Sequence, residues 1–363
     1  MFSRMGFVCL LIATMAARAA EIPEIDRASQ PFTASVVVNC AAGQSVQAAV
    51  DANAGPVEIV ITGVCTENVL IRDKDVTLRG ATGPSQDGIR SLSPTIPALT
   101  VRGSGIDAIS NLSFSKSAGP AVMIRGVNAT LAGCELANNG GIALSVVMGA
   151  FVTADGLIFD GNVGRSINVT AAQFFCTRCD VSGNNFAVLA NRGATASLLD
   201  SVVTGRRGIV AVDGGTLADL DCATVDTPHA CSMRVTGVAV QAVGGASATL
   251  FGAGDFTGQV TAVEGATVAL IGVRQIAGAQ LGQGPSTNIA DFFGRIVVSS
   301  LSESERGFLL STDLGHFARL VVTDVSTVSG TVQCSTAADA VLDSTVLTRA
   351  KFTGCEHVVD MGK

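Results

Sequence analysis

The stretch ALTVRGSGIDAISNLSFSKSAGP (98–120) is followed by AVMIRGVNATLAGCELANNGGI (121–142) and ALSVVMGAFVTADGLIFDGNVGR (143–165). SINVTAAQFFCTRCDVSGNNF (166–186), AVLANRGATASLLDSVVTGRRG (187–208) and a unit read as starting at Ile209 continue the series. The steps between unit starts are 23, 22, 23, 21 and 22 residues. Each unit holds short runs of β-branched and apolar residues broken by Gly, Asn and Ser, with no helical stretch of about ten residues. A repeat of this length without helices predicts an all-β solenoid, one coil per unit.

Working outward, two columns emerge from the alignment. Phe114, Leu136, Phe159 and Val181 share a phase, and Leu112, Cys134, Leu157 and Cys179 lie two residues earlier. A two-residue spacing puts both columns on one side of a strand, so both are expected inside. Asn139, Asn162 and Asn184 or Asn185 form a turn column, where Asn tolerates left-handed backbone and satisfies turn amides. Ahead of the coils, Ser45 caps a short helix in SVQAAVDANAG (45–55), with Val46, Ala49 and Val50 on its apolar face and Gly55 as its end. Such a lid closes the first coil of a solenoid. The runs VEIVI (57–61), NVLI (68–71) and VTLRG (76–80) then start the strands.

This layout resembles the pectin-lyase-like superfamily of right-handed parallel β-helices, over roughly residues 40–280. GVCTENVLI (63–71) is similar to the opening of pectin methylesterases within it. The resemblance implies an all-β, right-handed parallel β-helix solenoid with a short N-terminal capping helix, and it implies fold before activity. Asn ladders at a turn also occur in that superfamily.

The catalytic motifs of its enzymes are not matched. A pectin methylesterase carries a glutamine-led oxyanion motif, two aspartates and an arginine in Leu-Gly-Arg-Pro-Trp, whereas this chain has no Trp and only Asp291-Phe-Phe-Gly294. Polygalacturonases use aspartate pairs and Gly-His-Gly; here Gly315-His316-Phe317 departs at its third position and no Asp-Asp pair occurs. Calcium-dependent pectate lyases cluster carboxylates on adjacent coils, but Ile158 separates Glu135 from Asp180. The remaining catalytic candidates are His316, Asp313 and Arg319, in STDLGHFAR where the repeat is weakest. No cofactor and no metal are expected.

The polar column that stands out is Arg102 and Arg125, same phase on neighbouring coils, with Arg72 before them and Val147 and Thr170 after. Val101 and Ile124 beside them are expected to point inward, so the arginines point out. Stacked guanidiniums repel unless solvent, acids such as Asp73 or Asp107, or an anionic ligand carrying uronate or sulfate separates them. Arg206-Arg207, at a turn, carries the same pair of readings.

Residues 1–20 read as a secretory signal: Arg4, the apolar run 6–15, and Ala17-Arg18-Ala19 before the cut. The apolar run is too short to span a bilayer and no other stretch does so. The expected organisation is signal 1–20, linker 21–39, and one β-helix domain 40–363. Within it the cap covers about 45–55, regular coils about 57–280, and irregular and closing coils 281–363. Export predicts a secreted, periplasmic or extracellular protein. Removing Arg4 and Arg18 leaves 21 basic against 30 acidic residues, a net charge of −9, which disfavours nucleic acid as a partner. Apolar residues make up 48% and charged residues 15%, fitting a solenoid core or, alternatively, self-association. With neither Trp nor Tyr, the platforms on which sugars usually stack are missing.

Nine of the ten cysteines remain after cleavage, and export favours disulfides. Cys334 and Cys355 are one coil apart, Cys40 and Cys65 flank the cap, and Cys222 and Cys231 bracket an insertion placed around 226–233. Cys134, Cys176 and Cys179 are left open: Cys176-Thr-Arg-Cys179 has redox or half-zinc spacing, against a buried thiol or local disulfide. The function expected is an exported, non-enzymatic scaffold or binding protein, with polysaccharide or a cell-surface component as partner. The alternative is a polysaccharide-active enzyme of a type its motifs do not reveal.

Overall fold

The computed structural model describes residues 34–222, 231–252 and 255–271, and the strands Asn288–Asp291, Arg295–Ser299, Gly307–Leu314, Arg319–Thr323, Thr327–Cys334, Asp339–Leu342, Leu347–Thr353 and His357–Asp360. The chain winds as a right-handed parallel β-helix; the coils from Val57–Thr62 to Ile209–Val212 each contribute three short strands, and later the second and third merge into one, as in Ser232–Val243. A first face runs through fifteen strands, all parallel, from Ala34–Asn39 to His357–Asp360. A second face of three- and four-residue strands follows it in each coil, for example Glu135–Ala137 and Ile158–Asp160. The third face carries Val69–Arg72, Leu99–Arg102, Val122–Arg125, Leu144–Val147 and the coils after them.

Register makes the core. Phe114 pairs with Leu136, Leu136 with Phe159 and Phe159 with Val181, and all four are buried. Leu112, Cys134, Leu157 and Cys179 are buried two positions earlier. Because like positions stack at ~4.8 Å, each apolar side chain is covered above and below by its counterparts, which is how a chain of 15% charged residues buries so much Val, Ile, Leu and Ala.

Sharp corners permit the winding. The residue closing each third-face strand is left-handed in coil after coil: Asp73, Gly103, Gly126, Met148, Ala171, Arg192, Asp213, Gly244 and Glu264. The corner after the first face repeats the device at Asn111, Gly133, Gly156, Arg178 and Asp200. At the remaining corner Asn139 and Asn162 turn inward, and Asn162 Nδ2 donates to the Leu136 carbonyl at 2.7 Å. Asn184, the exposed member, donates to the Asn162 carbonyl at 3.3 Å, and Asn185 has no part in the ladder.

The cap helix spans Val46–Ala52, with Val46, Ala49 and Val50 buried and the Ser45 side chain accepting the Ala48 amide. Glu67, from the next coil, accepts the Val46 and Gln47 amides and the Ser45 hydroxyl at 2.7–3.1 Å. Lys74 Nζ donates to the Val50 and Asn53 carbonyls at 2.6 and 2.9 Å. A carboxylate thus meets the positive end of the helix and an ammonium the negative end.

Four expectations need correction. The helix ends at Asn53, whose Nδ2 donates to the Ala49 carbonyl, ahead of Gly55. Part of the expected linker is a strand: Ala34–Asn39 pairs with Val57–Thr62 and starts the first face, because a sheet edge is best covered by another strand. Gly208, instead of Ile209, shares the phase of Ala187, since Val188 pairs with Ile209; a Cβ at 208 would collide with the Ala239 carbonyl. Ser232 and Met233 pair with Val202 and Val203, so the insertion lies before them, bracketed by Asp221 and Ser232. The signal segment 1–20 lies outside the described residues.

Candidate functional site

Strand register places Arg72, Arg102 and Arg125 directly over one another at the end of the third face. Val147, Thr170 and Asn191 continue the column. Their inner neighbours Ile71, Val101 and Ile124 are buried, so alternation sends the three guanidinium chains outward. Together with Asp73, Gly103, Gly126 and Met148 they line an open cleft of about 500 Å³.

The charges there are poorly compensated. Among the described residues, ion pairs occur between Arg79 and Glu58 and between Arg178 and Asp155, neither of them in this cleft. Asp73, the acid beside the column, accepts the Ser104 amide at 2.9 Å and its hydroxyl at 3.4 Å, both on Oδ1, and makes no ion pair with the three arginines. Asp107 is buried within the first face, where its Oδ1 accepts the Val76 amide at 3.1 Å; that corrects its reading as a surface partner for the arginines. The Nε of Arg102 is buried without a hydrogen-bond partner. Three like charges at coil spacing, one with an unmet donor, form a strip that an oxyanion would relieve.

The third face is recessed in the coils that follow the arginines, whereas Leu70, Thr100 and Met123, the outward positions beside the arginines themselves, are half-exposed. Ser145, Asn168, Leu189 and Val210 occupy outward positions between buried inner neighbours, yet all four are buried. The equivalent outward positions of the first face, Thr130, Thr153, Phe175 and Ser197, are half-exposed. Over the coils of Ser145 to Val210 the third face therefore lies below its flanking turns.

At the opposite end of these strands is a cluster that sequence reasoning only half found. Arg165 pairs in register with Phe186, and the guanidinium carbon of Arg165 sits 5.8 Å from the ring centroid. Arg207 approaches the same ring to 5.0 Å. Arg206-Arg207 stands out as a doublet, whereas Arg165 and Phe186 are single residues near the ends of their units with no motif around them. Their position one residue before the unit starts at Ser166 and Ala187 is the signal that would have found them.

The other candidates are not brought together with these. Asp313 belongs to a third-face strand and Arg319 begins a first-face strand, in register with Arg295 and Asp339. His316 lies outside the described residues. Cys40 and Cys65 form a disulfide, Cα atoms 4.9 Å apart, tying the turn before the helix to the first coil. Cys222 and Cys231 are bonded across the insertion, Cα atoms 5.7 Å apart. Cys176 and Cys179 are bonded to each other across the left-handed Arg178, both buried, and Cys134 is a buried free thiol. Cys334 ends a described strand, and Cys355 lies outside the described residues.

Residues 95–225 match the family described as the right handed beta helix region. Among solved structures, the chain is similar to a Yersinia enterocolitica Family 28 exopolygalacturonase, with 12% identity over 90% of this chain and 77% of that one, at a TM-score of 0.38. No curated protein matches the chain. The fold is the one that the resemblance to the pectin-lyase-like superfamily implies.

Proposed function

We propose that this protein is a non-enzymatic binding scaffold that holds anionic polysaccharide along the recessed third face, with Arg72, Arg102 and Arg125 as its anchor. The observation that carries the reading is the in-register arginine column with one buried, unpartnered Nε and no ion pair to the neighbouring Asp73. In a chain with 30 acidic residues against 23 basic ones, three adjacent unpaired arginines concentrate positive charge against the average. Guanidinium forks match carboxylate and sulfate geometry and lose little freedom when such groups bind. Three disulfides fit an oxidising compartment outside the cytosol.

The test is a glycan array followed by titration of the best uronate and sulfated chains at two salt concentrations. Binding that weakens with salt and falls about tenfold or more in Arg102→Gln/Arg125→Gln supports the reading. Unchanged binding in that variant rejects it. Incubating the same chains with purified protein and assaying new reducing or unsaturated ends decides between scaffold and enzyme.

A further inference from the structure

We infer that Arg165, Phe186 and Arg207 form a second, separate oxyanion-binding anchor for the polysaccharide, at the opposite rim of the third face from the arginine column. This rests on the reading of that column as a polysaccharide site and extends it to a two-point grip.

Three observations carry it. First, both guanidiniums face one half-buried ring, at 5.8 and 5.0 Å, from the coils on either side of Phe186. An aromatic face holds a guanidinium in place without neutralising it, so the pair keeps its charge and its orientation. Second, no ion pair between either arginine and an acid occurs among the described residues. Arg165 donates one bond, from Nη1 to Asn168 Oδ1 at 3.3 Å, and that Asn belongs to the recessed floor. Third, the cluster shares strands with the column: Arg165 starts the strand Arg165–Thr170, and Thr170 ends it in the phase of Arg125. Five residue steps and two coils separate the anchors, ~16 Å along the strand and ~10 Å across coils. Between them lie Ser145 and Asn168, both buried in the recessed floor, which leaves a path.

A polymer carrying oxyanions on successive units spans that gap, whereas a single sugar acid reaches one anchor. The shared chemistry is a carboxylate or sulfate ester on a polysaccharide.

The experiment compares polygalacturonate and dextran sulfate as probes against four proteins: the unmodified chain, Arg165→Gln/Arg207→Gln, Arg102→Gln/Arg125→Gln, and the quadruple variant. Titration calorimetry is accompanied by a thermal melt of each protein. The expected result is a loss of about tenfold or more in Arg165→Gln/Arg207→Gln, with a weaker salt dependence, and a larger loss in the quadruple variant. Arg165→Lys/Arg207→Lys, which keeps charge but not the fork, is expected to recover part of the affinity. Unchanged binding of both probes in Arg165→Gln/Arg207→Gln overturns the second anchor, even where the column variant loses binding. Loss in the cluster variant with none in the column variant overturns the column and keeps the cluster. Loss confined to one probe assigns the anchor to carboxylate or to sulfate. An unmodified chain that binds neither probe overturns both.

Discussion

Asn139 sends two hydrogen bonds to a single atom of Asn162: its backbone amide at 3.0 Å and its Nδ2 at 3.1 Å both end on Oδ1. Asn162 in turn donates from Nδ2 to the Leu136 carbonyl, and the Ser117 amide donates to Asn139 Oδ1 at 3.0 Å. Both asparagines are buried, so every one of these groups lacks water as a substitute. Asn162→Ala leaves the buried Asn139 amide without its acceptor, at about 1–3 kcal/mol, and removes one of two donors to the Leu136 carbonyl, which stays in the strand ladder with Asp160. We expect a loss of about 1–3 kcal/mol in urea unfolding. Asn162→Asp keeps the acceptor but turns a charged oxygen toward the Leu136 carbonyl, so it is expected to be no better at neutral pH. A midpoint near that of the unmodified chain in both variants would show that the ladder contributes nothing.

Much of this architecture is legible because stacking imposes one rule on every coil. Phe114, Leu136, Phe159 and Val181 can be aligned by eye, and the register that aligns them also aligns Arg72, Arg102 and Arg125. Local departures are harder to read. Gly208 falls in the phase of an alanine column because backbone from Ala239 occupies the space a Cβ would need, and that contact is invisible along the chain. Asn53 ends the helix by reaching back to Ala49, a role no composition rule separates from Gly55 two residues on. Phe186 reads as one more apolar residue of its unit until two arginines are found facing its ring.

Asp87 supplies an acid-sensitive element at the start of the solenoid. It is buried, with Oδ1 accepting the Gly63 amide at 2.8 Å and Oδ2 accepting the Thr82 amide, the Thr82 hydroxyl and the Gly83 amide at 2.5–3.1 Å. Burial on its own raises the carboxyl's pKa; these donors outweigh it and hold the group below its ordinary value. A lowered folded-state value means that the stabilisation is fully present above the unfolded value of ~3.9 and disappears as pH falls through the folded one. Asp87→Asn sets an amide nitrogen against the Thr82 and Gly83 donors. We expect it to lower stability at pH 7 and to flatten the fall in stability below about pH 4, as followed by urea unfolding across pH. An unchanged acid limb would exclude Asp87 as its source.

Cys134 is expected to be chemically silent in the folded protein. Its thiol lies in the core column and points at the Ile109 and Ala132 carbonyls, and burial pushes its pKa up to about 11. At pH 8 roughly one thiol in a thousand is then ionised, and the thiolate is the reactive form. Iodoacetamide should leave Cys134 unmodified in buffer and label it in urea, as read by peptide mass mapping. Labelling at the rate of an exposed thiol under native conditions would contradict its place in the core.

Ala171 shows where the winding stores strain that a single substitution can release. It closes a third-face strand with φ at 48°, in an exposed corner whose counterparts in the two coils following Asp73 are Gly103 and Gly126. A left-handed Ala costs roughly 1–2 kcal/mol, because its Cβ crowds the next carbonyl; Gly has no such cost but loses more backbone freedom on folding, about 0.4–1 kcal/mol. The first effect is the larger, so Ala171→Gly is expected to stabilise the protein by a few tenths to about 1 kcal/mol, a sign opposite to that of Gly placed within a strand. The control is Ala172→Gly, one residue on, where the alanine is buried and not left-handed: it should destabilise. Urea midpoints of the two variants, moving in opposite directions from the unmodified chain, are the expected result. A drop in both would mean that the corner is held by packing of the Ala171 methyl instead of being tolerated in spite of it.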